Sequence, residues 1–158
     1  MKKIIILQGV PASGKSTYSK KLLKDNPNMV RINMDYLRVM LRNAVYDLEY
    51  EELVKETRLH IFKELLKTDY DIVIDSCNVV FELLKTLIDA IPAFDVNVKV
   101  VTFEISPEIA KERNLKRGGE VTNDIIDRAH LALEKDNDQV VEYLKQEQVT
   151  HEVIHIEK

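Results

Sequence analysis

Gly9-Val10-Pro11-Ala12-Ser13-Gly14-Lys15-Ser16 spells G-x-x-x-x-G-K-S, and each fixed residue type in it suits the binding of a chain of phosphates. Gly9 and Gly14 let the backbone curl so that successive N–H groups aim at phosphate oxygens, and a helix opening near Gly14 adds its positive end. Lys15 brings a mobile cation to the β- and γ-phosphates, and the Ser16 hydroxyl is a hard oxygen ligand for Mg²⁺. Pro11, Ala12, Ser13 and Thr17 complete the expected nucleotide-binding set. Two acids lie downstream. Asp75 ends the apolar run Asp71-Ile72-Val73-Ile74-Asp75, where a carboxylate is placed to hold Mg²⁺ or its bound water. Asp35 follows Met29 to Ile32 and faces the phosphates across a cleft. A carboxylate there repels a dianionic phosphate acceptor and suits the removal of a proton from a hydroxyl, so the acceptor is read as an alcohol. Arg38, three residues on, faces the same way on a helix, and is expected beside the acceptor, binding a phosphate on it without pairing away the base. Lys111, Arg113, Lys116 and Arg117 precede Gly118-Gly119 and read as a lid over about 111–123, whose Arg113 and Arg117 close on the transferring phosphoryl group.

These residues need a scaffold that brings distant segments to one edge. Short β-branched runs alternate with helical patterns. Strands are expected at Met1 to Leu7, Met29 to Ile32, Asp71 to Asp75, Val96 to Phe103 and His151 to Ile156. Helices are expected from the phosphate loop to near Asp25, then over Asp35 to Asn43, Asp47 to Lys67, Val80 to Ile91, Ser106 to Lys116 and Thr122 to Gln146. In the longest of the first four, Tyr50, Leu53, Val54, Thr57, Ile61 and Leu65 share one face, with the charges toward water. Such alternation with short connections predicts a parallel three-layer α/β sandwich, in which ligands gather at the carboxyl ends of the strands.

Composition narrows the function. The chain has 158 residues, 45% hydrophobic and 32% charged, with four glycines and four prolines, which fits one compact domain over 1–158. Its formal charge of −4 excludes a globally cationic, duplex-coating surface. Cys77 alone makes no intrachain disulfide or zinc cluster and suggests a reducing, cytoplasmic setting. The apolar start from Ile4 to Leu7 is too short for a membrane span or a signal peptide, so no membrane association is expected. His60, His130, His151 and His155 lack metal-ligand spacing. Tyr36 admits two readings, a stacking surface for a base or a packing residue.

The chain resembles phage-type polynucleotide 5′-hydroxyl kinases, the kinase half of bifunctional end-healing enzymes. The resemblance runs through Met1-Lys2-Lys3-Ile4-Ile5 into Gly9 to Thr17, then Ile32-Asn33-Met34-Asp35 with Arg38, Asp75-Ser76-Cys77-Asn78, and Arg113-Asn114-Leu115-Lys116-Arg117-Gly118. It implies a P-loop NTPase fold of the kinase-like type, with a parallel sheet of about five strands and a helical lid. It implies ATP and Mg²⁺ as cofactors and a 5′-hydroxyl end of DNA or RNA, single-stranded, as the acceptor; no partner protein is inferred. In that family the residue matching Asp35 is the general base, that matching Arg38 contacts the acceptor phosphate, and that matching Arg117 contacts the donor phosphates. Cys77 stands where the family often has Thr, and a thiol is a weak substitute for a hydroxyl. The bifunctional members add a phosphatase domain, for which 158 residues leave no room, so a kinase domain alone is expected. Asp35 and Arg38 by themselves specify an alcohol near an anion. A hydroxymethylated base in DNA and a small phosphorylated metabolite therefore stand as alternative acceptors. A nucleotide-driven switch is disfavoured, since no N-K-x-D motif is present and Asp35 would be idle.

Overall fold

A computed structural model describes residues 1–43, 48–92 and 95–157. Strands β1 (Lys2–Gly9), β2 (Met29–Asn33), β3 (Asp71–Asp75), β4 (Val96–Ile105) and β5 (Thr150–Ile156) form one sheet in the order β2-β3-β1-β4-β5. Every pairing is parallel. Helices α1 (Lys15–Asp25), α2 (Met34–Arg42), α3 (Leu48–Leu66), α4 (Phe81–Asp89), α5 (Pro107–Lys116) and α6 (Asn123–Gln146) fill the connections.

Strand alternation assigns the two faces. Ile72 and Ile74 of β3 join Ile4 and Ile6 of β1 in a core with Phe62 of α3, Leu84 and Leu87 of α4, and Leu144 of α6. Val73, between them, points the other way and joins Leu7, Val101 and Phe103 beneath Tyr18 and Leu22 of α1. Both faces of β3 are thus dry, as the unbroken apolar run predicts. The result is the expected three-layer sandwich.

Local chemistry sets the helix starts. Asn33 caps α2 by accepting from the Tyr36 amide at 3.0 Å, so the helix opens at Met34, one residue before the expected Asp35. Ser106 caps α5 by accepting from the Ile109 amide at 3.3 Å, with Pro107 at the first helical position.

The expected face of α3 needs correction. Its deepest positions are Glu51, Val54, Arg58 and Phe62, while Leu53 is exposed. Two charges expected to face water instead turn inward, because each finds a partner there: Glu51 binds Arg38 of α2, and Arg58 donates to the Asn78 amide oxygen at 2.8 Å. The expected start at Asp47 lies outside the described residues.

A second polar chain crosses the sheet. Gln8 donates to the Asn78 carbonyl at 3.0 Å and accepts from the Thr102 hydroxyl at 2.8 Å. That hydroxyl has one proton, so it accepts in turn from His151 Nε2–H, 2.9 Å away on β5.

Burial holds the His151 pKa below its ordinary value, against the opposing pull of Glu104. In the window below ~6.5 the unfolded chain therefore binds more protons than the folded one. The stability this contributes is complete above that pH and is lost as pH falls through the folded-state value. Urea denaturation of the wild type and His151→Gln at about pH 7.5 and about pH 5.5 is expected to show the steeper acid loss in the wild type. Parallel profiles would contradict it.

Candidate active site

The phosphate loop leaves the carboxyl end of β1 under close confinement. The Gly9 amide donates to the Cys77 carbonyl at 2.9 Å, tying the loop to the exit of β3. Gly9 has φ 149°, and a Cβ there would lie 3.0 Å from both the Phe103 carbonyl and the Ser13 hydroxyl. Gly14, at φ 101°, turns the chain into α1, and a Cβ on it would meet nothing within 4 Å. Lys15 Nζ spans the loop, donating to the Gly9 carbonyl at 2.8 Å, the Val10 carbonyl at 2.7 Å and Ser13 Oγ at 3.2 Å. All three acceptors are neutral, and a phosphate oxyanion is the stronger partner for an ammonium.

A cavity of about 250 Å³ opens over this loop, lined by residues 12–17 together with Arg113 of α5 and Arg117, which caps that helix. The four cations at the expected lid therefore divide. Arg113 and Arg117, one turn apart, face the loop, whereas Lys111 pairs with Asp127 of α6 at 2.6 Å and Lys116 with Glu112 at 2.5 Å. Arg117 also lies 3.4 Å from Glu120. Asn114, between the arginines, is buried. Its amide donates to the Val121 carbonyl at 2.7 Å and its backbone carbonyl accepts from Gly119 at 2.8 Å, so the Gly118-Gly119 turn is anchored to α5.

Asp75 is the polar hub of the cleft. Its Oδ2 accepts from Arg31 Nε at 2.8 Å and Nη2 at 2.5 Å, from Ser19 Oγ at 2.9 Å and from Asn33 Nδ2 at 3.1 Å. Its Oδ1 faces the Ser16 hydroxyl at 3.4 Å. A hydroxyl and a carboxylate oxygen so placed fit Mg²⁺, which keeps several waters and takes few protein ligands. Among the described residues no group of three or more His, Cys, Asp or Glu side chains gathers as a protein-only cage. Arg31 was not singled out from sequence. Its signal is an Arg alternating with Val30 and Ile32 in a short strand, which sends it to the face that Asp75 shares.

At the start of α2, the Asp35 side chain is 81% exposed and that of Arg38 17%. The expectation that Arg38 leaves Asp35 unpaired needs correction: its Nη1 donates to Asp35 Oδ1 at 2.6 Å. The spacing that put both on one helix face also brings them into contact. Glu51 of α3, another residue missed by sequence, holds the guanidinium from behind, accepting from Nε at 2.7 Å and Nη2 at 3.0 Å. Burial lowers the Arg38 pKa, but the Glu51 and Asp35 carboxylates outweigh it and hold the guanidinium above its ordinary value. Arg58 lies deeper, 3% exposed, and burial together with the Arg38 charge pushes it down to about 10. Asn78, at φ 48°, accepts from it while donating to the Leu7 carbonyl at 2.7 Å. Asn78 thereby links α3 to the strand that carries the phosphate loop.

The AAA domain family model matches residues 4–140. An L-seryl-tRNA(Sec) kinase of Methanococcus maripaludis is 26% identical over 78% of this chain and 49% of its own length. A bifunctional polynucleotide phosphatase/kinase of Schizosaccharomyces pombe is 27% identical over 72% of this chain and 24% of its own. The chain thus spans half or less of the curated relatives it matches. Among solved structures, one of the Pnkp1/Rnl/Hen1 RNA repair complex aligns at TM-score 0.75 and 24% identity, covering 87% of this chain and 46% of that one. A gluconokinase from Sinorhizobium meliloti aligns at TM-score 0.64 and 15% identity over 99% of this chain and 83% of its own. Both structural likenesses establish the fold.

The Arg31–Asp75 pair is buried, so removing one member strands the other's charge at a cost of ~3 kcal/mol or more. A cycle of Arg31→Met, Asp75→Asn and the double variant, followed by urea denaturation, is expected to give a favourable coupling of about 1–3 kcal/mol. Additive losses would contradict the pairing.

Proposed function

The chain belongs to the AAA domain family and has a P-loop kinase fold, and from that footing we propose that it transfers the γ-phosphate of ATP to the 5′-hydroxyl end of a single nucleic acid strand, with Mg²⁺. The observation that carries this reading is the exposed Asp35 carboxylate with Arg38 beside it. β2, which leads to Asp35, is two strands from β1, which leads to the phosphate loop. At ~4.8 Å per strand the span is about 10 Å, room for a γ-phosphate and an attacking alcohol between them.

Each group has a definite part in the transfer. The loop amides and Lys15 hold the β- and γ-phosphates of ATP, and Arg113 and Arg117 approach them from the C-terminal end of α5. Ser16 and Asp75 would hold Mg²⁺, which would offset phosphate charge when bound. Asp35 takes the proton of the acceptor hydroxyl as its oxygen bonds to the γ-phosphorus, the bond to the bridging oxygen breaks, and ADP leaves. Arg38 binds the acceptor's phosphate next to the reactive hydroxyl, exchanging its contact with Asp35 for that anion while Glu51 keeps it in place.

Both curated relatives support a nucleic-acid-linked acceptor, one named for a polynucleotide and one for seryl-tRNA. The second supplies an alternative reading, an alcohol other than the 5′-hydroxyl, with Asp35 in the same role.

Lys15→Ala is expected to cost ~3 kcal/mol or more of transition-state stabilisation, a turnover loss of about 10²-fold. Turnover within about tenfold of the wild type contradicts the donor side of the scheme. Arg117→Ala is expected to lower kcat more than it raises KM for ATP.

The acceptor is tested with γ-labelled ATP and a panel. A 5′-hydroxyl oligonucleotide and a nucleoside 3′-monophosphate are expected to be labelled about tenfold to a few hundredfold better than the free nucleoside, the worth of a contact of ~1.5–3 kcal/mol. Arg38→Ala is expected to erase that gap, and Asp35→Asn to slow every acceptor by roughly 10²-fold. Labelling of a sugar acid or hydroxymethyl-base DNA with inert 5′-hydroxyl ends transfers the reading to another alcohol.

A further inference from the structure

Tyr36 follows Asp35 directly and stands 60% exposed at the opening turn of α2. The two readings its sequence position allowed are separated by its surroundings. Tyr18 sets its ring edge-on to Phe103 and Tyr143 to Phe81, as packing tyrosines do. The Tyr36 ring instead carries the Arg31 guanidinium over one face, 5.1 Å from its centroid. That guanidinium is anchored by its two bonds to the buried Asp75 carboxylate. The Tyr36 amide is fixed too, by the Asn33 cap. The ring is therefore held from one side by a cation tied to the floor of the cleft, with a large part of its surface open to solvent. Val39 and Met40, three and four residues on, are also exposed and continue an apolar strip along the same side of α2.

Resting on the reading of the acceptor as a nucleic acid end, we propose that Tyr36 is the stacking platform for the base of the acceptor's terminal nucleotide, with Val39 and Met40 bordering the next one. A base is the occupant that this surface suits. Its π-face matches an aromatic ring already polarised by a cation on the opposite side, and the platform adjoins the carboxylate that meets the sugar hydroxyl. The chain's formal charge of −4 points the same way. A net negative chain gives a polyanion little overall attraction, so close contacts such as stacking supply more of the affinity. Stacking is also sequence-tolerant, since every base presents a π-face, so the platform does not choose among the bases.

The test uses the full chain with ATP and 5′-hydroxyl oligonucleotides whose first nucleotide is either normal or abasic. In the wild type the abasic acceptor is expected to raise KM for the oligonucleotide about tenfold with little change in kcat or in KM for ATP. Tyr36→Leu is expected to show that higher KM with the normal acceptor and no further rise with the abasic one, while Tyr36→Phe behaves as the wild type. A 2-aminopurine at the first position is expected to lose fluorescence on binding to the wild type and to Tyr36→Phe, and to keep it with Tyr36→Leu. Efficient labelling of 5′-hydroxyl ends with equal KM for normal and abasic acceptors overturns the platform and leaves the kinase reading intact. The same holds if Tyr36→Leu binds both acceptors as the wild type does, or if it converts a dimer to a monomer in sedimentation, which makes the strip a contact between copies. Failure of every 5′-hydroxyl end to be labelled, with another alcohol accepted, overturns the acceptor reading and the platform with it.

Discussion

A carboxylate that is 2% exposed has to be compensated by fixed partners, and the way Asp75 is compensated organises the whole cleft. Its partners come from β2 through Arg31 and Asn33, and from α1 through Ser19 and Ser16. Register brings Asn33 opposite Asp75, so the capping residue of α2 and the acid of β3 are tied to one another. The start of α2, and with it Asp35, is thereby set relative to the phosphate loop. The buried ion pair is a weak source of net stability, since desolvation offsets much of its attraction. Its consequence is geometric: α1, β2 and β3 have one mutual arrangement, although Asp75 lies 44 positions from Arg31 in sequence.

The start of α2 follows a similar logic with charges at the surface and below it. Asp35, Arg38 and Glu51 alternate in sign from solvent inward, so the guanidinium is held between two carboxylates. Arg58, underneath, adds a like charge to Arg38 and donates to the neutral Asn78 oxygen. Its Nε is buried with no hydrogen-bond partner among the described residues. This region is thus costly to fold and built around groups that touch the cleft, the pattern expected where function rather than stability selects the residues.

Much of the scaffold was legible in the sequence. Parallel strands buried on both faces read as unbroken apolar runs such as Ile72-Val73-Ile74, and Ser106-Pro107 is a helix start with a mechanism behind it. The phosphate loop was legible because Gly9, Gly14, Lys15 and Ser16 fall at fixed spacing within one short stretch of chain. Arg31, Glu51 and Arg58 were not, because a buried charge looks the same in sequence as a solvated one until its partner is known. Glu51 illustrates the difficulty: its partner lies 13 positions away on another helix, and it sits on a helix whose apolar period suggested a neighbouring face. The contact between Arg38 and Asp35 was hidden by the same spacing that made them candidates.

The claim that unites these features is that one alcohol oxygen meets both the Asp35 carboxylate and the γ-phosphorus. The most direct measurement is a crystal structure of the chain with a non-hydrolysable ATP analogue, Mg²⁺ and a short 5′-hydroxyl oligonucleotide. The account predicts the 5′ oxygen within about 3.2 Å of an Asp35 carboxylate oxygen, roughly 3–3.5 Å from the γ-phosphorus, and in line with its bridging bond. A 5′ oxygen bound away from Asp35, with the analogue in the phosphate loop and the Asp35–Arg38 pair undisturbed, would contradict it.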